Sequence, residues 1–425
     1  MPIIKPFRAV RYNPAKVDLN AVVAPPYDVI TPEQQNELYQ RHPYNIVRLI
    51  LGREEDRYTS AANSYHNWLK EGVFLRDVKL GIYYLTQTFV MDGNTFERKG
   101  VILRCRLEEF EKRIVLPHEK TLSKPKEDRL KLLHLTKANF SQIFSFYSDP
   151  ERTVDAIVEP FLRTDPLTQV SFEGVEHSVW NVTESAALKA VAACFQNKQA
   201  FIADGHHRYE TALVYRDRHE ERNPRHTGAE PYNYTMMYLA NMDDSGLLVL
   251  PTHRLVYGLK HFDRESFLQQ LGVDFDCEVF DDFQTLQRSL VEARQHAFGM
   301  IAGGDPNFYL LRLRGDKLAS DIVGQSTAQH RAGLDVTLLH GAVLEKILHI
   351  SPESQLEQTN LSYAHDADEV LGAVRTGKAQ IGFLMNPTRI EQVRAVALAG
   401  HVLPQKSTHF YPKLLSGLLI NRLDD

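Results

Sequence analysis

The chain has 425 residues, of which 43% are hydrophobic and 24% charged, and it carries a net charge of −5. That length exceeds one ordinary core, so two or three lobes are expected, and the composition is that of a soluble globular protein. The acidic balance argues against a broad basic face for nucleic acid, so basic residues act locally, within a site.

Cys105, Cys194 and Cys277 lie far apart and form no metal-like pair. No apolar run approaches membrane-spanning length, and the first residues lack a secretory apolar core. The chain therefore reads as cytoplasmic, with no membrane partner.

In chain order, residues 7–11 are expected to form a strand. Pro25 and Pro26 then fix an extended backbone and hold Tyr27 and Asp28 on a stiff loop. That loop either presents a catalytic carboxylate or simply leads into a helix at 32–41, capped by Thr31 with Pro32 at its first position. Residues 46–51 read as a buried strand and 58–71 as a helix. Residues 82–90 and 96–107 read as strands joined by a Met91-Asp92-Gly93-Asn94 turn.

His118, Glu119, Lys120, Thr121, Lys124, Lys126, Asp128 and Arg129 fall within twelve residues, on a loop anchored by Leu116, Pro117 and Leu122. This is either a solvated surface or an ordered site. Its HExT order lacks the second histidine of the HExxH zinc helix. A helix at 127–136, a strand at 142–147 and helices at 151–162 and 184–196 are expected next.

The central stretch is 199–218. Residues 199–203 read as a buried strand that breaks at Gly205 into a helix beginning at Arg208. Such a turn offers backbone N–H groups and the positive end of a helix dipole to an anion. Asp204, His206, His207 and Arg208 crowd around it: one carboxylate, two imidazoles and a guanidinium within five residues.

Beyond it, 220–230 is a polar loop suited to a lid or an inert surface, and 234–241 is a buried strand. Thr252, His253 and Arg254 follow at a strand end, where ligand groups in α/β sheets tend to sit. Residues 260–330 read as an α/β module without evident chemistry. Further helices are expected at 334–348, 367–376 and 389–399, with a strand at 379–385. The last motif, 403–415, sets Lys406, Ser407, Thr408, His409 and Lys413 among aromatic residues and prolines. Its Lys-Ser-Thr echoes the end of a P-loop, but the P-loop glycines are absent; what remains suits phosphate oxygens.

Two resemblances rest on these motifs. PPYD at 25–28, HEKT at 118–121, ADGHHRYETA at 203–212, PTHR at 251–254 and PQKSTHFYPK at 404–413 resemble a bacterial family catalogued as a domain of unknown function, DUF-1015. That likeness spans nearly the whole chain and supplies no reaction. The strand–turn–helix with Gly205, His207, Arg208 and Tyr209 resembles the G-x-x-R turn of the ParB/sulfiredoxin superfamily, which includes kinases of free serine. The resemblance implies that the turn and Arg208 bind nucleotide phosphates and that Asp204, in a related Asp-Gly-His turn, assists catalysis. Sulfiredoxin's reactive cysteine is replaced here by His206 and His207. The helix-turn-helix of partition proteins is not found, and no DNA partner is expected.

The expected fold class is mixed α/β (α+β), with a ParB/sulfiredoxin-like nucleotide-binding core and additional α/β lobes. The expected divisions are 1–75, 76–150, 151–258, 259–330 and 331–425. The expected activity is phosphoryl transfer on a small metabolite such as a serine-like hydroxy amino acid, as a kinase or as a phosphatase of the phosphorylated form. Asp204, Asp28 and Glu119 supply carboxylates, and His206 and His207 relay a proton or touch phosphate. Gly205, Arg208, Lys406, Ser407, Thr408 and Lys413 bind the phosphorylated ligand or nucleotide, and Asp204 meets Mg²⁺ accompanying ATP or ADP. Tyr27, His118, Thr121, His253 and Arg254 are further candidates. The alternatives are a metal-dependent hydrolase using His118, Glu119, His206, His207 and His253, and a nucleotide-binding regulator without turnover. The oligomeric state stays open.

Overall fold

The structure, a computed structural model, describes every residue except Lys120, Leu122, Asp316, 324–332, Gln405 and Asp425, and not the side chains of Ser123 and Lys124. Lys120, Leu122 and the Lys124 side chain, all part of the expected 118–129 segment, thus lie outside what is described. The chain forms two compact units. The first comprises Met1–Pro117, Thr121–Leu248 and Pro412–Asp425, and the second His118–Lys120 and Val249–Tyr411. Both are mixed α/β.

The first unit is built on β1 (Ile82–Met91), β2 (Asn94–Arg106), β3 (Val115–Leu116), α1 (Ser123–Thr136), β4 (Ile143–Tyr147), β5 (Thr168–Phe172), β6 (Val175–Val182), α2 (Ser185–Cys194), β7 (Ala200–Asp204), α3 (His206–Arg222) and β8 (Tyr234–Asn241). Among the described residues these strands form one sheet in the order β3-β7-β4-β8-β2-β1-β6-β5, with Ile4–Lys5 paired to β2. β7 runs parallel to β3 and β8 parallel to β4, while the remaining pairs are antiparallel. The central strand β8 is buried at every position, and β4 likewise, as expected of apolar runs covered on both faces. Tyr209, Ala212 and Leu213 of α3 pack with Val191 of α2 and Ile202 of β7 in its core.

The helix expected at 127–136 begins earlier, at Ser123, and the strand expected at 7–11 covers Val10–Tyr12; two further expectations change in kind. Residues 46–51 form not a strand but a short helix, Val47–Ile50, entered from the fully buried Asn45. Asn45 Oδ1 accepts from Val47 N–H at 2.9 Å, while its Nδ2 donates to Ala21 O and Val23 O at 2.8 and 3.0 Å. A six-residue run that is apolar except at Arg48 is too short for its periodicity to separate helix from strand, so the local hydrogen bonds decide. The second change is at 151–162, where an α-helix covers Thr153–Val158 and a 3₁₀ turn completes Glu159–Arg163.

In the second unit, β9 (His253–Val256), α4 (Arg264–Asp274), β10 (Phe275–Phe280), α5 (Phe283–Ala293), β11 (Ala297–Ala302), β12 (Phe308–Leu313), β13 (Leu361–Ala364), α6 (Ala367–Arg375), β14 (Ile381–Met385) and α7 (Ile390–Leu398) follow in order. The sheet order is β10-β12-β11-β14-β9-β13, antiparallel throughout. Its core gathers Phe298, Met300, Phe383 and Val256 from the strands with Leu338, Leu339 and Val343. The last three lie where the expected 334–348 helix becomes a short α-turn followed by a π-helical stretch, Leu339–Glu345. No described helix is long and apolar enough to cross a membrane.

Candidate functional site

In the first unit, the buried strand β7 ends at Asp204 and the backbone turns at Gly205, at φ 92° and ψ 28°. A glycine is required there twice over. The left-handed region disfavours any Cβ, and an added Cβ would lie 2.8 to 2.9 Å from Nε, Cζ and Nη2 of Arg208. The guanidinium thus lies directly over the bare turn. α3 begins at His206, two residues earlier than expected, so His206 and His207 belong to its first turn. His206 is buried and His207 half-buried, as their different directions around the helix require.

Asp204 Oδ1 accepts from Gly205 N–H at 2.9 Å. Its other oxygen lies 3.6 Å from Arg208 Nη2 and 3.9 Å from Lys413 Nζ. Arg208 is itself oriented by Nη1, which donates to Ser141 Oγ at 3.0 Å and Gln142 O at 2.7 Å. Its Nε is buried without a hydrogen-bond partner. One carboxylate thus stands between two cations at the first turn of a 17-residue helix. This is a setting for anionic oxygens.

Lys413 reaches this turn from the far end of the chain because buried groups hold its backbone. Gln87 Nε2 donates to Lys413 O at 3.1 Å, and the Arg98 guanidinium donates to Pro412 O and to Gln87 Oε1. Arg98 is 1% exposed and lies 4.5 Å from the Phe144 ring. Burial lowers its pKa to about 10, while the Asp204 charge acts the other way. Burial also lowers the neighbouring His177 to about 3, which keeps it neutral beside Gln87. Neither Gln87 nor Arg98 is among the residues expected in the site. Both look like ordinary polar strand residues in sequence, and no spacing signal marks them.

Tyr27 stands at the same place. Its hydroxyl is pushed up to about 12, first by burial and then by the Asp28 charge, while Arg129 and Arg208 pull it down. The Arg129 guanidinium lies 4.0 Å over its ring. Tyr27, Arg129, Asn139, Ser141, Arg208 and Thr211 line a cavity of about 60 Å³. At about 10–15 Å³ per water-sized group, it admits one end group and not a nucleotide base. Asp28 itself is exposed. Thr121 Oγ1 donates to both oxygens of Glu210 at 2.8 Å, and Lys126 Nζ lies 2.7 Å from Glu210 Oε2. Glu210 sits one turn beyond His206 and His207, and helical spacing is the signal that marks it.

The second unit brings together a separate cluster. His118 is fully buried. Its Nε2 meets Thr408 Oγ1 at 2.9 Å, and Thr408 Oγ1 donates to Glu119 Oε1 at 3.3 Å. A parallel bridge between Glu119 and Leu403, with Leu403 N–H donating to His118 O at 2.7 Å, joins the HEKT and PQKST segments. Ser407 Oγ donates to Pro404 O at 2.6 Å and Thr388 Oγ1 to Ser407 O at 2.9 Å. Lys406 is exposed, at φ 56°. His253 serves the backbone, because its Nδ1 accepts from Met385 N–H at 3.0 Å, and burial lowers its pKa to about 4.

Among the described residues, no three His, Cys, Asp or Glu side chains stand together so as to hold a metal ion. Among the described residues, the five expected to share a transition metal do not make such a group. Mg²⁺ asks less of a protein, usually one or two carboxylates together with substrate phosphates and water. On the turn the one carboxylate is Asp204, with Arg208 and Lys413 as its cationic neighbours.

The fold and this site define a mixed α/β protein with a strand–glycine–helix turn at which one carboxylate and two cations meet. Residues 4–337 match the model of the family described as Protein of unknown function (DUF1015), and the chain belongs to that family. No curated protein matches it. Among solved structures it is similar to a conserved hypothetical protein from Pyrococcus furiosus, at a TM-score of 0.37 and 13% identity over 76% of this chain and 96% of that one. A free serine kinase in complex with AMP gives a TM-score of 0.39 and 12% identity over 76% and 92%. SbnI with a C-terminal truncation, from Staphylococcus aureus, gives 0.36 and 9% over 75% and 87%.

Proposed function

We propose that the protein transfers or removes a phosphoryl group on a small metabolite, with a serine-like hydroxy amino acid as the acceptor class. The observation that carries this reading is the Asp204 carboxylate held between Arg208 and Lys413 on the Gly205 turn. Phosphoryl transfer is mainly positioning and neutralisation of charge, with a carboxylate to take the acceptor's proton. Arg208, Lys413 and the first turn of α3 hold phosphate oxygens. Asp204 acts as general base or meets the Mg²⁺ that accompanies ATP or ADP. His206 and His207 are the proton-relay candidates, and Asp28 is the second carboxylate on the same unit.

The test is ADP formation from ATP, and phosphate release from phosphoserine, each with Mg²⁺ and a series of hydroxyl acceptors. Asp204→Asn is expected to lower kcat by about 100-fold or more with nucleotide affinity retained. Arg208→Ala is expected to weaken binding of the phosphorylated ligand about tenfold, in line with loss of a charge-assisted hydrogen bond. Wild-type turnover in both variants would remove the turn from the reaction. Nucleotide binding without turnover on any acceptor would instead favour a regulator.

A further inference from the structure

We propose that the second unit holds a site for one small monovalent inorganic anion, of chloride size, built from the buried Thr252 and Arg254 and the exposed Arg294. This goes beyond phosphoryl transfer and does not depend on it. Arg254 is 1% exposed. Its Nε donates to His340 Nε2 at 3.2 Å, Nη1 to Thr252 O, and Nη2 to Lys406 O at 3.3 Å. All three acceptors are neutral, and burial lowers the His340 pKa to about 3. Burial lowers the pKa of the guanidinium to about 10, while Tyr363 and Glu119 act the other way. A buried guanidinium that hydrogen-bonds only to neutral groups carries a heavy desolvation cost. Beside it, Thr252 is 3% exposed, and its Oγ1 is buried without a hydrogen-bond partner.

Both residues line the same cavity of about 20 Å³, with Arg294, Asp335, Asn386 and Ser407. At about 10–15 Å³ per water-sized group, the space admits a water or a halide and not a phosphate. Charge decides between the two. Arg254 and Arg294 bring two positive charges, and Asp335 is the one carboxyl in the lining. Burial pushes Asp335 up to about 7, so the lining is net positive whether or not it is ionised. A water would satisfy Thr252 and leave that charge standing. An anion satisfies both.

Arg294 closes the C-terminal end of α5. Its backbone lies at φ 61° and ψ −45°, with Gln295 N–H donating to Ala293 O at 2.7 Å. This strained tight turn costs energy, and such turns persist where the surroundings over-determine them. The site also braces a neighbouring segment. Arg254 holds Lys406 O and Thr388 holds Ser407 O, so an anion that fixes Arg254 fixes the backbone that carries Lys406, Ser407 and Thr408.

The experiment is thermal unfolding of the full chain in sodium chloride titrated against sodium gluconate at constant ionic strength, with bromide and sulfate as further arms. Chloride and bromide are expected to raise the melting temperature saturably, and gluconate and sulfate to leave it unchanged. Amide exchange at 406–408 is expected to slow in chloride alone. Thr252→Val is expected to weaken the apparent chloride affinity about tenfold, the loss of one hydrogen bond to a charged group. Arg294→Gln, an exposed position, does the same and decides the matter if Thr252→Val folds poorly. Equal melting in chloride and gluconate overturns the proposal in favour of a buried water. A chloride response that survives both substitutions overturns it as an adventitious ion only.

Discussion

Among single residues, Gly205 decides whether the central turn exists. Its φ of 92° and the closeness of the Arg208 guanidinium leave no room for a side chain. Gly205→Ala is expected to cost about 1–2 kcal/mol from the left-handed backbone alone. It also displaces Arg208 from over the turn and so weakens phosphate-ligand binding. Urea unfolding and ligand titration of the same variant check both effects; unchanged binding in a destabilised variant would separate Arg208 from the ligand. Arg98 shows the complementary case of a buried charge with a definite purpose. It fixes Pro412 O through its own donors and Lys413 O through Gln87.

Among the elements, the short helix Val47–Ile50 shows how one side chain overrides an ambiguous pattern. Asn45 satisfies two carbonyls of the 21–23 backbone and the first helical N–H. Asn45→Ala leaves these groups buried and unpaired, and is expected to cost about 2–4 kcal/mol. Chemical denaturation measures it; a loss below about 1 kcal/mol would mean that water reaches the exposed partners. The hairpin β5–β6 lies in 163–183, a stretch without an expected element, although β5 alternates buried and exposed positions cleanly. Its turn at Glu173 and Gly174 places both residues at positive φ. A glutamate there carries no turn signal, so half of the hairpin's punctuation is silent. By contrast, α3 and β8 are legible because long periodic or wholly apolar stretches leave few alternatives.

Across the molecule, the last fourteen residues belong to the first unit and are not a tail. Leu414, Leu415, Leu418, Leu419 and Ile420 are all buried, and Asn421–Arg422 pairs with Ala138–Asn139. At about 1.5–3 kcal/mol for each buried side chain, their burial is comparable to the whole net stability of about 5–15 kcal/mol typical of a domain. A chain ending at Tyr411 is therefore expected to lose the fold of its first unit along with Lys413. Soluble expression with wild-type circular dichroism and melting would contradict this.

The family, the mixed α/β class and the strand–glycine–helix turn at 200–222 are all legible in the chain before it folds. Each is encoded in contiguous residues whose spacing and backbone preferences act locally. The partners of that turn are a product of folding. Lys413 meets Asp204 across more than two hundred residues, and HEKT meets PQKST through one isolated parallel bridge between Glu119 and Leu403. So too are the hold of His253 on a backbone N–H and the burial of Arg98 and Arg254. Burial and long-range hydrogen bonding are properties of which surfaces close on one another, and no local pattern in the chain carries them.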